Sequence, residues 1–226
     1  MSLLTWGFNL AHVFVTASGV TIFYLARPGS SLFSYHPALM AVGTMVLSFE
    51  SVLLLKDKRV PRRNKIFVHW ATGVSGLVVT LLAFQAIYRF KSYNSRAHFA
   101  TLHGRFGIAT IAVLLLQNLG GLPTKYGRSV MNWTGIHKKK IREWHEVGSL
   151  ISGVCMTGTI ISAFFSKWFV EVTGGGAVWW TLLGMTMLPR FFFGYVMQTS
   201  KAQKLKNKEK NKKSESVELS EQKKTK

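Results

Sequence analysis

Apolar residues run along the chain in six long windows joined by short polar segments, near 5–26, 36–55, 66–88, 100–122, 145–166 and 177–198. A hydrocarbon core of about 30 Å is crossed by about 20 helical residues, so each window is long enough for one transmembrane helix. Closed barrels require alternating strands of about 10 residues, and that pattern does not occur, which leaves helices as the expected spanning element. The first window is too long for the core of a cleaved leader and lacks a basic stretch before it, which predicts a permanent span. The expectation is an all-α membrane protein, six transmembrane helices within residues 1–198 and a disordered tail over 199–226. That tail is polar and free of aromatics, too poor in apolar surface to build a core.

Composition agrees, with 48% hydrophobic and 17% charged residues, and the charge adds an orientation. Of 29 Lys and Arg, six fall in 56–65, six in 123–144 and ten after 198. The opposite joints, 27–35, 89–99 and 167–176, hold only Arg27, Arg89, Lys91, Arg96 and Lys167. Basic residues in short loops stay on the cytosolic side, so both termini are expected in the cytosol. The net charge of +20 is thus loop asymmetry plus tail and does not point to nucleic acid, since no recognition fold accompanies it. Attraction to lipid headgroups is the simpler consequence. The last four residues, Lys223-Lys224-Thr225-Lys226, resemble a dilysine retrieval signal of endoplasmic reticulum membrane proteins.

Cys155 is the single cysteine and C-x-x-C-H does not occur, which excludes an internal disulfide and covalent haem attachment. Zinc is disfavoured, because no two histidines have the i, i+4 spacing of a helical site.

Four histidines, His36, His69, His103 and His145, stand at or just inside the starts of successive windows, in SYHPALM, FVHWATG, TLHGRFG and REWHEVG. An ionisable ring carried into lipid is costly unless something binds it, so such a set reads as a cofactor site. Successive spans alternate in direction, so two pairs share a level: His36 with His103, and His69 with His145. Each pair could hold one haem iron from both faces, giving two b-type haems in a four-helix core formed by helices 2–5. Gly73, Gly107 and Gly148 follow the ligands by four, four and three residues, which leaves room for a flat macrocycle or for close helix packing.

These residues resemble the cytochrome b561 family. Ser34-Tyr35-His36-Pro37-Ala38-Leu39-Met40 is similar to its aromatic-His-Pro-x-Leu-Met signature, and ARPGSSLFS over 26–34 is similar to its domain-containing subfamily. The resemblance spans roughly 20–200 and implies a transmembrane ascorbate-dependent reductase with two haem b groups. Electrons would enter from cytosolic ascorbate, pass the His69/His145 haem and then the lumenal His36/His103 haem, and leave to monodehydroascorbate or ferric iron. Homodimers are a further implication.

Lys65 precedes His69 by four residues and Arg142 precedes His145 by three, so both are expected at the cytosolic rim, where a cation could hold ascorbate or a propionate. Lys140, Arg62 and Arg63 stand in reserve, and a plain positive-inside role competes for each. Arg96, His98 and Phe99 precede His103 as candidates to line an acceptor site. Arg105 is expected to reach a propionate or to snorkel. Glu50 and Arg190 are expected to pair, His12 to be a packing residue without a partner at its level, and His137 to be solvated. Two other functions fit parts of the pattern: a haem-bearing membrane anchor passing electrons between quinol and a soluble partner, and a transporter whose histidines conduct protons or bind a metal. Histidines near the faces rather than the midplane weigh against the transporter.

Overall fold

The computed structural model describes residues 3–57, 59–125 and 127–224. Within them every regular element is a helix: α1 (Leu3–Ala26), α2 (Tyr35–Met40), a π-helix (Ala41–Leu47), α3 (Ser48–Lys56), α4 (Lys65–Tyr93), α5 (Leu102–Lys125), α6 (Gly127–Thr134), α7 (Lys138–Phe164), α8 (Lys167–Thr173) and α9 (Ala177–Lys224). Five segments are long and apolar enough to cross a membrane, Thr5–Ala26, Tyr35–Lys56, Lys65–Tyr93, Leu102–Thr124 and Lys138–Phe164. The sixth expected window is the start of α9, where Pro189 and Arg190 interrupt the apolar run. Beyond it α9 carries helical backbone through 199–224, where a disordered tail was expected. Lys, Glu and Gln exclude a core but are strong helix formers, and apolar turns upstream nucleate the rod. Thr225 and Lys226, the end of the dilysine pattern, lie outside the described residues.

The second span is one continuous rod of α2, π-helix and α3. Its start is fixed by a serine turn: Ser34 Oγ donates to Ser31 O at 2.7 Å, the two serines exchange backbone-to-hydroxyl bonds at 3.2 and 3.3 Å, and His36 N reaches Phe33 O at 2.9 Å. Pro37 sits in the first turn, where its missing N–H costs nothing. The fifth span begins seven residues before His145 rather than at it. The KKKIREW stretch is helix-forming, its lysine stems can lie along apolar surface, and the His137 side chain caps it by accepting from Lys139 N at 3.2 Å, so His137 is a cap. Ser166 caps α8 in the same way through Phe169 N, and Gly174, at φ 67°, ends it in the left-handed conformation that glycine tolerates.

Two apolar clusters lie between α1, the second span and α9. One joins Phe8, Ala11 and Val15 to Phe49 and Leu53, and the other runs from Ile22 and Met45 to Ile160, Phe164, Trp179 and Leu182. The second span also packs on α4 with almost nothing between them. A Cβ on Gly43 would lie 2.8 Å from Thr80 N and 2.9 Å from Gly76 O, and one on Gly76 would lie 3.0 Å from Gly43 O and Ser48 N. Small residues let backbones approach this closely, and without a hydrophobic drive between helices in lipid such packing holds the pair together. The hydroxyls of Thr44 and Thr80 bond across it at 3.0 Å, and Thr110 and Thr159 do the same between α5 and α7 at 2.8 Å. Each bond adds about 0.6 kcal/mol in a membrane protein.

Candidate functional site

The four histidines meet in two pairs, one at each end of the bundle. His36 of α2 faces His103 of α5 with ring centroids 6.1 Å apart and planes at 72°, and His69 of α4 faces His145 of α7 at 6.4 Å and 87°. All four rings are half-buried. Each helix carries one of these histidines and, about 14 residues on, a residue that touches a histidine of the other pair, which at 1.5 Å per residue puts the levels about 20 Å apart.

Three rings are held by a backbone carbonyl. His36 Nδ1 lies 3.1 Å from Ala83 O, His69 Nδ1 2.8 Å from Ser51 O, and His103 Nδ1 3.1 Å from Thr159 O. A carbonyl only accepts, so Nδ1 carries the proton and donates in each, and Nε2 keeps its lone pair. Such second partners fix the tautomer and orientation of a metal-ligating histidine. His145 differs. Its neighbour is the side chain of Gln117, whose Nε2 donates to His145 O at 2.8 Å and lies 3.2 and 3.3 Å from the two ring nitrogens.

The anchors follow one register. Ala83 stands 14 residues after His69, and Thr159 stands 14 after His145. At the other end Gln117 is 14 after His103, but Ser51 is 15 after His36. The additional residue falls in the rod that contains the π-helix, whose wider turn takes up an insertion and returns Ser51 to the ligand face. A metal–imidazole bond of about 2 Å and a ring radius of about 1.1 Å place two imidazoles that share one ion about 6 Å apart between centroids, the separation of both pairs. Among the described residues no group of three His, Cys, Asp or Glu side chains is arranged to hold a metal ion. Three of the four rings keep Nε2 free, and rings paired at this spacing with no third ligating side chain suit an ion whose remaining positions would be filled by a macrocycle, so the residues fit a b-type haem.

The glycines near the ligands have three different surroundings. Gly73 faces Asn118, with 3.6 Å from a hypothetical Cβ to its Oδ1; Gly107 borders open space; and a Cβ on Gly148 would collide with Gln117 Oε1.

The expected rim residues go to separate partners. Lys65 Nζ donates to Leu55 O at 3.4 Å, Lys140 Nζ lies 5.4 Å from the Trp144 ring centroid, and Arg142 is exposed. In the 94–101 segment His98 stacks on Tyr88 at 4.2 Å, Phe99 stacks on Phe84 at 6.3 Å, and Arg96 lies over Phe90 at 5.6 Å. Phe99 takes φ 54°, unusual for a bulky residue, and Arg105 Nε donates to its carbonyl at 3.4 Å. Phe90 contacts Phe33 at 5.4 Å and Phe33 contacts His36 at 6.5 Å, so an aromatic chain joins Arg96 to His36. Phe33, Phe90 and Gln117 were not singled out in the sequence, where nothing distinguishes them from packing residues.

Two expectations about buried charge are corrected. Glu50 pairs with His12, Nδ1 to Oε2 at 2.6 Å, because α1 packs along the second span and brings the two to one level. Arg190 instead donates to Thr186 O and lies 4.9 Å from the Phe49 ring. Just past α3, Arg59 grips Asp57 with Nε at 3.0 and 3.1 Å and Nη2 at 2.6 Å. This side-chain bonding, ahead of the backbone bond and charge of the same arginine, holds the Asp57 carboxyl down to about 2 against a smaller opposing effect of burial.

Comparison with known proteins shows the family. The family model for eukaryotic cytochrome b561 matches residues 35–170. The transmembrane reductase CYB561D2 of Mus musculus is 30% identical over 174 residues, 74% of this chain and 77% of its own length. The probable transmembrane reductase CYB561D1 of Mus musculus is 27% identical, covering 84% of each chain, and transmembrane ascorbate ferrireductase 2 of Arabidopsis thaliana is 24% identical over 41% of this chain and 40% of its own. The matched stretch holds all four facing histidines: the chain belongs to the cytochrome b561 family and is an oxidoreductase built on a helical membrane bundle.

Proposed function

We propose that the protein carries electrons from ascorbate on the cytosolic side of a membrane, through two b-type haems, to monodehydroascorbate or ferric iron on the lumenal side. The observation that supports this best is the pair of facing imidazole couples at opposite ends of one bundle; in this reading His69/His145 lie on the cytosolic side and His36/His103 on the lumenal side. Relatives named as transmembrane reductases and as an ascorbate ferrireductase support the same direction. Haem would supply reversible one-electron storage at each level.

The protein's own residues supply position and charge. Carbonyls of Ala83, Ser51 and Thr159 present Nε2 of three ligands inward and keep Nδ1 protonated. Arg96 is exposed above Phe90 and offers a cation to an anionic acceptor, with Phe90 and Phe33 filling the space down to His36. Lys65, Lys140 and Arg142 give the opposite rim a positive field for ascorbate. Both termini lie in the cytosol in this reading, and the C-terminal lysines serve as a retrieval label for the endoplasmic reticulum.

The deciding experiment is reconstitution into sealed vesicles with a ferric chelate inside and ascorbate outside. The expected result is a reduced b-type absorption band followed by internal ferrous iron. Protein that stays colourless after haem-replete expression overturns the proposal.

A further inference from the structure

We infer that Gln117 is a positioning residue that sets the reduction potential of the haem held by His69 and His145, independently of the haem at the other end. The inference rests on the proposed role of His145 as an axial ligand. Three of the four histidines lean on backbone carbonyls, which no substitution removes and which accept in one sense only. His145 leans on a side chain. All three hydrogen-bond contacts of Gln117 go to His145, its backbone carbonyl and both ring nitrogens.

The surroundings leave that amide few alternatives. Gln117 and His145 border a cavity of about 450 Å³ whose other lining is apolar, including Val113, Leu116, Ile141 and Ile151. Gly148, one turn past His145, lies against Gln117 Oε1, where a methyl group would push the amide away. The glycine is thus part of the same arrangement.

An amide presents both a donor and an acceptor at its tip, and the two ends exchange by rotation of the last torsion. When His145 offers Nε2 to iron, Nδ1–H needs an acceptor, and Gln117 Oε1 supplies it once the amide turns away from His145 O and gives up the 2.8 Å bond seen here. An accepting partner at Nδ1 makes the imidazole more electron-rich, and that stabilises the ferric form and lowers the potential. Carbonyls do this at three ligands without adjustment. At His145 the strength of the bond depends on one replaceable side chain, so the two haems can be tuned apart.

The test is a redox titration of the full-length protein in detergent or nanodiscs, followed by optical and electron paramagnetic resonance spectra. The component missing in His69→Ala identifies the relevant haem. Gln117→Leu is expected to raise the potential of that component alone and to shift its g-values. Gln117→Glu, which retains an acceptor oxygen, leaves the potential unchanged or lower. Gly148→Ala keeps the amide but displaces it, and is expected to reproduce Gln117→Leu. Equal shifts in both haems, a rise in Gln117→Glu as large as in Gln117→Leu, or two retained haems with unchanged potentials and g-values in Gln117→Leu and Gly148→Ala would overturn the inference. Wild-type protein without any b-type absorption overturns the axial-ligand assignment itself, a result visible before any variant is made.

Discussion

Gly43 and Gly76 bring the second span and α4 into backbone contact, so close that a methyl on either would come within 3.0 Å of main-chain atoms of the other helix. Backbone cannot move aside as a flexible side chain does. Gly43→Ala and Gly76→Ala are each expected to cost about 1–3 kcal/mol through overpacking. Thermal unfolding in detergent should show a lowered Tm for both, while Gly107→Ala, which borders open space, serves as the near-neutral comparison.

The two members of a facing pair share one ion in the proposed function, so their losses should not add. His36→Ala and His103→Ala are each expected to remove about half of the b-type absorbance, and the double variant no more than either single one. Combining His36→Ala with His69→Ala should abolish it. A spectrum in which His36→Ala and His103→Ala together lose twice as much as either alone would contradict the shared-ion arrangement.

Asp57 gives an acid-side pH dependence. Its folded pKa, about 2, lies below the ordinary 3.8, so the bond to Arg59 stabilises the fold in full above about pH 4 and is lost as pH falls toward 2. Asp57→Asn is expected to flatten the change in Tm over that interval and to leave values above pH 5 lower than wild type. Because Arg59 is half-exposed, salt should weaken the effect.

Removing His12 leaves Glu50 largely buried and without its partner. His12→Ala is expected to cost about 3–5 kcal/mol if Glu50 stays charged, and His12→Gln, which still donates to the carboxylate, much less. Denaturation midpoints of the two variants, with Glu50→Gln as the relief of the unpaired charge, check the order.

Arg96 is exposed on its aromatic seat, and an exposed charge contributes at most about 1 kcal/mol to an anion, or about fivefold in affinity. Arg96→Gln should therefore raise KM for an anionic ferric chelate several-fold with little change in kcat, and the difference should shrink at high salt. A kcat loss at constant KM would move Arg96 out of the binding role.

The periodicity of apolar windows settled the all-helical membrane class, and five of the six windows it marked are long, apolar helices, since stretches of about 20 residues with so few charges have few other places to go. It also singled out His36, His69, His103 and His145 and their levels, because alternating helix direction and constant rise leave only two pairings. Packing decided the rest. Nothing in HVFV or SFES says that His12 and Glu50 meet, since that depends on which face α1 turns to the second span. The π-helix over Ala41–Leu47 is invisible in composition, yet it restores Ser51 to the face that holds His69. Gln117 reads as an ordinary polar residue in an apolar run until α5 and α7 set it beside His145. A sequence records the period of each helix, and that fixes lengths and levels; rotation about each helix axis is set by side chains meeting across interfaces, and only the folded bundle contains those interfaces.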